Sequence, residues 1–239
     1  MLQLDIAGGW YDTTDETTFA SANSFTLYAL LNTSAPGYSP GGTYYLSAAL
    51  IPQVPKTTPP PSLGTFTIGI DQNNNGKIDG SDWQQTIAVA SQMTYGTAPI
   101  ETLAALQGWD KGDLPKHGIF ETYFSEFAFS FDSSLNTAIY NAAEGSHPTL
   151  PQGTGGMLFM PFLADVSGLT SGYGIHFDLY DEIAYKKAKS GNPAGDIDVN
   201  HFAPFSHDAT GMNIPDGGAT AALLGLGMLG LGFFARRKA

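Results

Sequence analysis

Apolar and polar residues alternate in short runs along much of the chain, and turn residues separate the runs. Leu2, Leu4 and Ile6 alternate with polar positions before Gly8-Gly9. Phe25, Leu27, Ala29 and Leu31 mark a second run, broken by Pro36-Gly37, and Tyr44 to Leu50 a third, stopped by Pro52. Pro59-Pro60-Pro61 reads as a stiff loop. Phe66, Ile68 and Ile70 alternate again, Ile87 and Val89 belong to a further strand ending near Gly96, and Phe127, Phe129 and Phe131 keep a strict period of two. Met157 to Val166 is nearly continuous in apolar residues, as a strand buried on both faces is. Ile175, Phe177 and Leu179 alternate with His176, Asp178 and Tyr180. Only Pro99 to Gln107 has a helical pattern, and it is short. About eight strands with Gly and Pro punctuation predict an all-β body over residues 1–188, an antiparallel β-sandwich of jelly-roll-like type. Residues 189–213 are rich in Gly, Asn, Asp and Pro and read as a flexible linker.

The pattern changes at the C-terminal end. Ala219 to Ala235 is a run of 17 residues without charge, followed by Arg236-Arg237-Lys238. As a helix it measures roughly 25 Å, and snorkelling arginines bring it close to a hydrocarbon core of about 30 Å. The expectation is a membrane-spanning helix over 219–235, with Arg236, Arg237 and Lys238 as its cytoplasmic basic stop and the body outside. Gly225, Gly227 and Gly230 spell G-x-G-x-x-G, but no strand pattern precedes them and the last acid is Asp216, so the dinucleotide fingerprint fails. These glycines suit close helix packing in a membrane instead.

Charge sharpens the division. The chain carries 10 Lys+Arg against 22 Asp+Glu, a net charge of -12. Residues 1–213 hold 21 of the acids and 7 lysines but no arginine, so an acidic body is joined to a basic tip. Such a body is a poor partner for nucleic acid, whose phosphates need Lys and Arg. With no cysteine there is no disulfide framework, thiolate metal site or thiol nucleophile.

One loop has metal-ligand spacing. Residues 71–82 read D-Q-N-N-N-G-K-I-D-G-S-D. With Asp71 at position 1 of a twelve-residue calcium loop, Asn73, Asn75 and Asp79 fall at positions 3, 5 and 9, and Asp82 at 12. Gly76 takes the sharp turn, Lys77 offers its backbone carbonyl, and Ile78 can anchor the loop to the core. Calcium takes six to eight oxygen ligands, which this spacing converges on one point. Asp82 stands where Glu is usual, and Gln84 and Gln85 do not continue into an amphipathic helix, so the loop resembles those of secreted modules such as dockerins. A Gly/Asn-rich hairpin turn is the alternative.

The catalytic motifs fail on local grounds. Gly37-Tyr38-Ser39-Pro40-Gly41 matches a nucleophile elbow, but Pro40, Gly41 and Gly42 forbid the helix that must follow the serine. Ser206-His207-Asp208 are neighbours, whereas triads assemble from distant positions. The five histidines show no metal-ligand spacing, and His117 and His207 lie beside turn residues. Glu121 with Glu126, or Asp181 with Glu182, are the candidate carboxylate pairs for glycoside hydrolysis. Trp10, Tyr11 and Trp109 are candidates for stacking on sugar rings, with core packing as the alternative.

The tail Ile214-Pro215-Asp216-Gly217-Gly218-Ala219-Thr220, its Gly-Leu apolar helix and Arg236-Arg237-Lys238 resemble a PEP-CTERM sorting signal of the V-P-D-S-G or V-P-D-G-G variant, with Ile214 for Val. The resemblance implies an exosortase as processing partner, transient tethering in the inner membrane, recognition through Pro215, Asp216, Gly217 and Gly218, and delivery to the surface or the exopolysaccharide matrix. The body resembles the choice-of-anchor N proteins. That likeness rests on Leu2-Gln-Leu-Asp-Ile-Ala-Gly-Gly, Phe25-Thr-Leu-Tyr-Ala-Leu-Leu, Tyr44-Tyr45, His117-Gly-Ile-Phe120, Tyr123-Phe124, Phe127-Ala-Phe129, His176-Phe-Asp-Leu-Tyr-Asp181 and Ala203-Pro-Phe-Ser-His-Asp208. It implies location and attachment but no reaction, and the calcium-type loop is an insertion relative to it.

The expected protein is therefore a non-catalytic, exported surface or matrix protein, calcium-stabilised and polysaccharide-associated. Its export leader is expected upstream of Met1 or already removed, since Met1 to Asp5 lie in the first strand pattern. The competing expectation is a secreted carbohydrate-active enzyme, a glycoside hydrolase or lyase, on the same scaffold. It requires two carboxylates in a cleft roughly 5–10 Å apart.

Overall fold

The computed structural model describes residues 1–34, 39–80, 82–96, 120–143, 147–150, 153, 155–181, 203 and 208–214. Among these residues run strands β1 (Leu2–Ile6), β2 (Trp10–Asp12), β3 (Thr17–Phe19), β4 (Ser24–Asn32), β5 (Tyr44–Ile51), β6 (Thr65–Ile70), β7 (Trp83–Ala88), β8 (Thr94–Gly96), β9 (Thr122–Phe129), β10 (Asn136–Thr137), β11 (Met157–Asp165), β12 (Gly174–Asp181) and β13 (Asp208–Met212). No helix occurs among the described residues, and so none long and apolar enough to cross a membrane. The helical pattern at 99–107 and the apolar run 219–235 lie outside them.

The strands form two sheets. The first has the order β1-β4-β11-β6-β7, with β10 also paired to β11; the second has the order β2-β3-β13-β12-β5-β9-β8. A side-chain period of two sends every second residue of each strand into the seam between them. On β12 these are Ile175, Phe177 and Leu179, all essentially inaccessible to solvent. Aromatic rings interlock across the seam: Phe25 meets Phe177 edge-on at 6.2 Å between centroids, and Phe129 meets Phe162 at 5.1 Å. Each such ring contributes about 1.5–3 kcal/mol by burial, and ring pairs add about 0.5–1.5 kcal/mol. The all-β, sandwich-like expectation holds for the described residues.

β11 is buried on both faces, as its unbroken apolar run predicts. Its outer side is roofed by the chain between β10 and β11. There Tyr140 N–H donates to Met157 Sδ, Leu150 N–H to Tyr28 Oη, and Ala142 N–H to Gln3 Oε1. Pro161 sits inside this central strand, where a missing N–H is normally costly. It falls where the ladder with β6 runs out: Phe162 is the last residue paired to β6, opposite Ile70, and the Pro161 carbonyl accepts from Asp71 N–H at 3.0 Å. The chain leaves the sheet there to form the 71–82 loop.

Two expectations need correction. The linker over 189–213 is not a linker throughout: Asp208–Met212 forms β13, inserted between β12 and β3. Backbone bonds continue past it, Asn213 N–H donating to the Tyr173 carbonyl. The sheets are also not wholly antiparallel, because β13 pairs with β3 in parallel, Ala209 opposite Thr18.

The inward face of β13 is made of Ala209 and Gly211. A Cβ on Gly211 would lie 2.5 Å from Phe25 Cζ, so the ring takes the place of a side chain. Gly211→Val is expected to overpack the seam and cost about 1–3 kcal/mol, lowering the melting temperature by several degrees. Gly41→Ala, where an added Cβ meets nothing within 4 Å, is the control that should leave it unchanged. Thermal denaturation followed by circular dichroism measures both.

Candidate functional site

Each polar group of note is placed by the same alternation. Residues that do not point into the seam lie on an outer sheet face or in the loops at its ends.

The 71–82 loop leaves the end of β6 and returns into β7. Asp71 is fully buried, and its two carboxylate oxygens accept from the N–H groups of Asn75 at 3.1 Å and Gly76 at 2.7 Å. Asn74 and Gly76 adopt left-handed backbone, φ 53° and 78°, which folds these amides back onto the carboxylate. Asn73 Nδ2 and Asn75 Nδ2 both donate to Asp79, at 3.3 and 2.8 Å. Asp82 closes the loop, accepting from Gln72 N–H at 3.0 Å and Asp79 N–H at 2.9 Å. Asp71, Asn73, Asn75, Asp79 and Asp82 thus belong to one connected network. Lys77 is exposed and its N–H donates to Asn75 Oδ1. Ile78 lies over Gly69 of β6, where a Cβ would come within 2.8 Å of its Cδ1.

Beside this loop a groove of about 540 Å³ runs over the outer face of the first sheet, with Thr26, Thr67, Asp165, Gln84, Gly76 and Ile78 among its lining. Its floor is made by β4, β11, β6 and β7, with Leu163 and Ala164 beside the polar Thr26, Thr67 and Gln84.

The outer face of the second sheet carries a buried polar cluster. His176 and Asp178 are two residues apart on β12 and so share a face. The antiparallel register sets Thr210 of β13 opposite His176, and continuing it sets Asp208 opposite Asp178. His176 Nδ1 is 2.8 Å from Thr210 Oγ1, while Nε2 lies 3.5 Å from Asp178 Oδ1 and 3.4 Å from Asp208 Oδ2. All three side chains are buried. Burial works against a charged imidazole, but Asp208 and Asp178 outweigh it and push His176 up to about 10. Nε2 has no hydrogen-bond partner, and neither does the buried Ser47 Oγ, one strand away opposite Asp178.

A second buried histidine lies against the first sheet. His147 has a left-handed φ of 50° and its Nδ1 is 2.5 Å from Asp5 Oδ1, which also accepts from Ile6 N–H at 2.8 Å. Asp5 is fully buried. Burial raises its pKa, opposed by His147, Tyr140 and the Ile6 amide.

Among the described residues, the carboxylates weighed as a pair are not brought together on one face. Glu126 points to the outer face of β9 and accepts from Tyr180 Oη at 2.5 Å, while Glu121 precedes the strand at the opposite parity. Asp181 is buried at the end of β12 on the seam side, and Glu182 lies outside the described residues. Ser39 to Gly42 form a turn closed by Gly42 N–H to the Ser39 carbonyl. Trp10 is half exposed and stacks on Phe19 at 5.0 Å. His117, Trp109, Ser206, His207, Pro215, Asp216, Gly217, Gly218, Arg236, Arg237 and Lys238 lie outside the described residues. The cluster on β12 and β13 escaped the sequence reading. The H-x-D pair in a strand was its only signal, and the third member sits in the stretch read as linker.

The Asp5 shift has a definite sign. A carboxyl whose pKa is higher folded than unfolded lends stability below about pH 4 and loses it as pH rises through the folded value. Asp5→Asn cannot ionise. The stability of wild type relative to Asp5→Asn is therefore expected to fall as pH is raised from about 4 to 7, measured by urea denaturation at each pH. A gap that widens with pH would mean that the histidine contact outweighs burial.

No protein-family model matches the chain, and no curated protein matches it.

Proposed function

We propose that this is a non-catalytic, exported surface or matrix protein: a jelly-roll-like sandwich, delivered through a C-terminal sorting signal and stabilised by calcium. The observation that carries the reading is the junction at Ile214. The folded body does not trail off before the Pro215-Asp216-Gly217-Gly218 motif but runs up to it. β13 ends at Met212, and Ile214 is clasped by Asn23, its N–H donating to Asn23 Oδ1 at 2.7 Å and its carbonyl accepting from Asn23 Nδ2 at 3.0 Å. A body held through Ile214 suits a recognition motif that begins at the next residue. The apolar stretch 219–235 and the basic Arg236, Arg237 and Lys238 then serve as a membrane tether removed with the motif.

The 71–82 network supports the calcium part. Its side chains are oxygen-rich and joined by hydrogen bonds through Asp79 and Asp82, and Gly76 supplies the left-handed turn that this type of loop needs. Outside the cell, calcium at about millimolar concentration makes even a weak site stabilising by mass action. The groove beside the loop, with its mixed polar and apolar lining, and the half-exposed Trp10 suit loose association with exopolysaccharide.

Two outcomes follow. In a host with an exosortase and the protein's own export leader, mass spectrometry of the surface fraction should find a chain ending near residues 215–218, and Asp216→Ala should leave it uncut. Finding the chain intact and dissolved in the cytoplasm would overturn the reading. Calcium should raise the melting temperature of the wild type and leave Asp71→Ala unmoved, as read by differential scanning fluorimetry; a wild type indifferent to calcium would remove the calcium part alone.

A further inference from the structure

In the buried cluster on β12 and β13 the imidazole nitrogen stands farther from its two carboxylates than a hydrogen-bonded ion pair does. Hydrogen bonds from a protonated imidazole to carboxylate oxygens run about 2.7–3.2 Å. His176 Nε2 instead stands 3.5 Å from Asp178 Oδ1 and 3.4 Å from Asp208 Oδ2, and makes no hydrogen bond to either. It is aimed into the gap between two carboxylates that face one another across paired strands, a placement that calls for a positive charge between them, which an imidazolium or a metal ion supplies. The three ligand atoms lie within 4.8 Å of one another. A metal about 2.0–2.2 Å from tetrahedral nitrogen and oxygen ligands spaces neighbouring donors about 3.3–3.6 Å apart, which is the spacing around Nε2.

The rest of the imidazole is arranged to match. Nδ1 meets Thr210 Oγ1 at 2.8 Å, the kind of contact that fixes ring orientation and leaves Nε2 as the donor. Ser47, buried and without a hydrogen bond of its own, stands opposite Asp178 where it can orient that carboxylate or a water on the ion.

We propose that His176, Asp178 and Asp208 form a binding site for a divalent first-row transition-metal ion, zinc by preference, which straps β12 to β13. One imidazole with two carboxylates is a borderline set, suited to zinc rather than to calcium, which takes six to eight oxygens. This site is separate from the 71–82 loop: it lies on the other sheet, and neither depends on the other.

The test uses the full, untagged chain, stripped with a chelator and dialysed. Incubated with Zn2+ it should retain one ion per chain and melt at a higher temperature. With Co2+ it should give the visible absorption of a tetrahedral nitrogen–oxygen site, lost when Zn2+ is added. His176→Ala should abolish all three signals, and Asp71→Ala should keep them. A wild type that retains no Zn2+ and gives no Co2+ band would overturn the proposal, as would a His176→Ala protein that binds like the wild type. If His176→Ala does not fold, Asp178→Asn replaces it, and the wild-type Co2+ spectrum decides independently of any variant.

Discussion

β13 is the constraint on which the second sheet depends. It lies between β12 and β3, so the β2–β3 hairpin joins the rest of the sheet through it. Its inward side is small, and Phe25 from the opposite sheet fills the space over Gly211. Its outward side supplies Asp208 and Thr210 to the cluster around His176. Beyond its end, Ile214 is held by Asn23. Packing, candidate chemistry and the junction with the C-terminal motif therefore meet in one strand of five residues.

The seam also explains where polar chemistry can be. Aromatic and aliphatic side chains from both sheets fill it, so polar residues of the central strands are turned outward or left at strand ends. Outward does not mean wet here. Asp5, His147, His176 and Asp208 are all buried, the first two beside or within the chain between β10 and β11. Buried ionisable groups are costly unless paired or bound to metal, and the two histidines each meet carboxylates. The two metal candidates are of different chemical kinds. The 71–82 loop, proposed above for calcium, offers hard oxygens, most of them near the surface. The β12–β13 cluster offers an imidazole and two acids with little access to solvent, and suits a tightly held, structural ion.

The period of two made β1, β4, β5, β6, β9 and β12 legible, because each buries large apolar residues on its inner side, and an unbroken apolar run made β11 legible. The loop was legible because Asp, Asn and Gly recur at fixed spacing, and the structure brings those side chains into one network. β13 was not legible for a physical reason. Asp208-Ala-Thr-Gly-Met has polar residues outward and Ala and Gly inward, since Phe25 occupies the room that a larger side chain would need. Without large apolar residues on its inward side the strand carries no hydrophobic alternation. β2 and β3 were missed for their length, three residues each. His147 was invisible as a partner of Asp5 because 142 residues separate them and its left-handed backbone belongs to no periodic element.

Native-state hydrogen exchange at residues 208–214 tests the claim that the body closes through β13. If the strand is an integral member of the sheet, the amides of Ala209 to Met212 exchange as slowly as those of its partner β12, through global unfolding. Exchange at the rate of an exposed loop would make this stretch the linker its composition suggests. It would also dissolve the β12–β13 cluster and detach the folded body from the motif that follows Ile214.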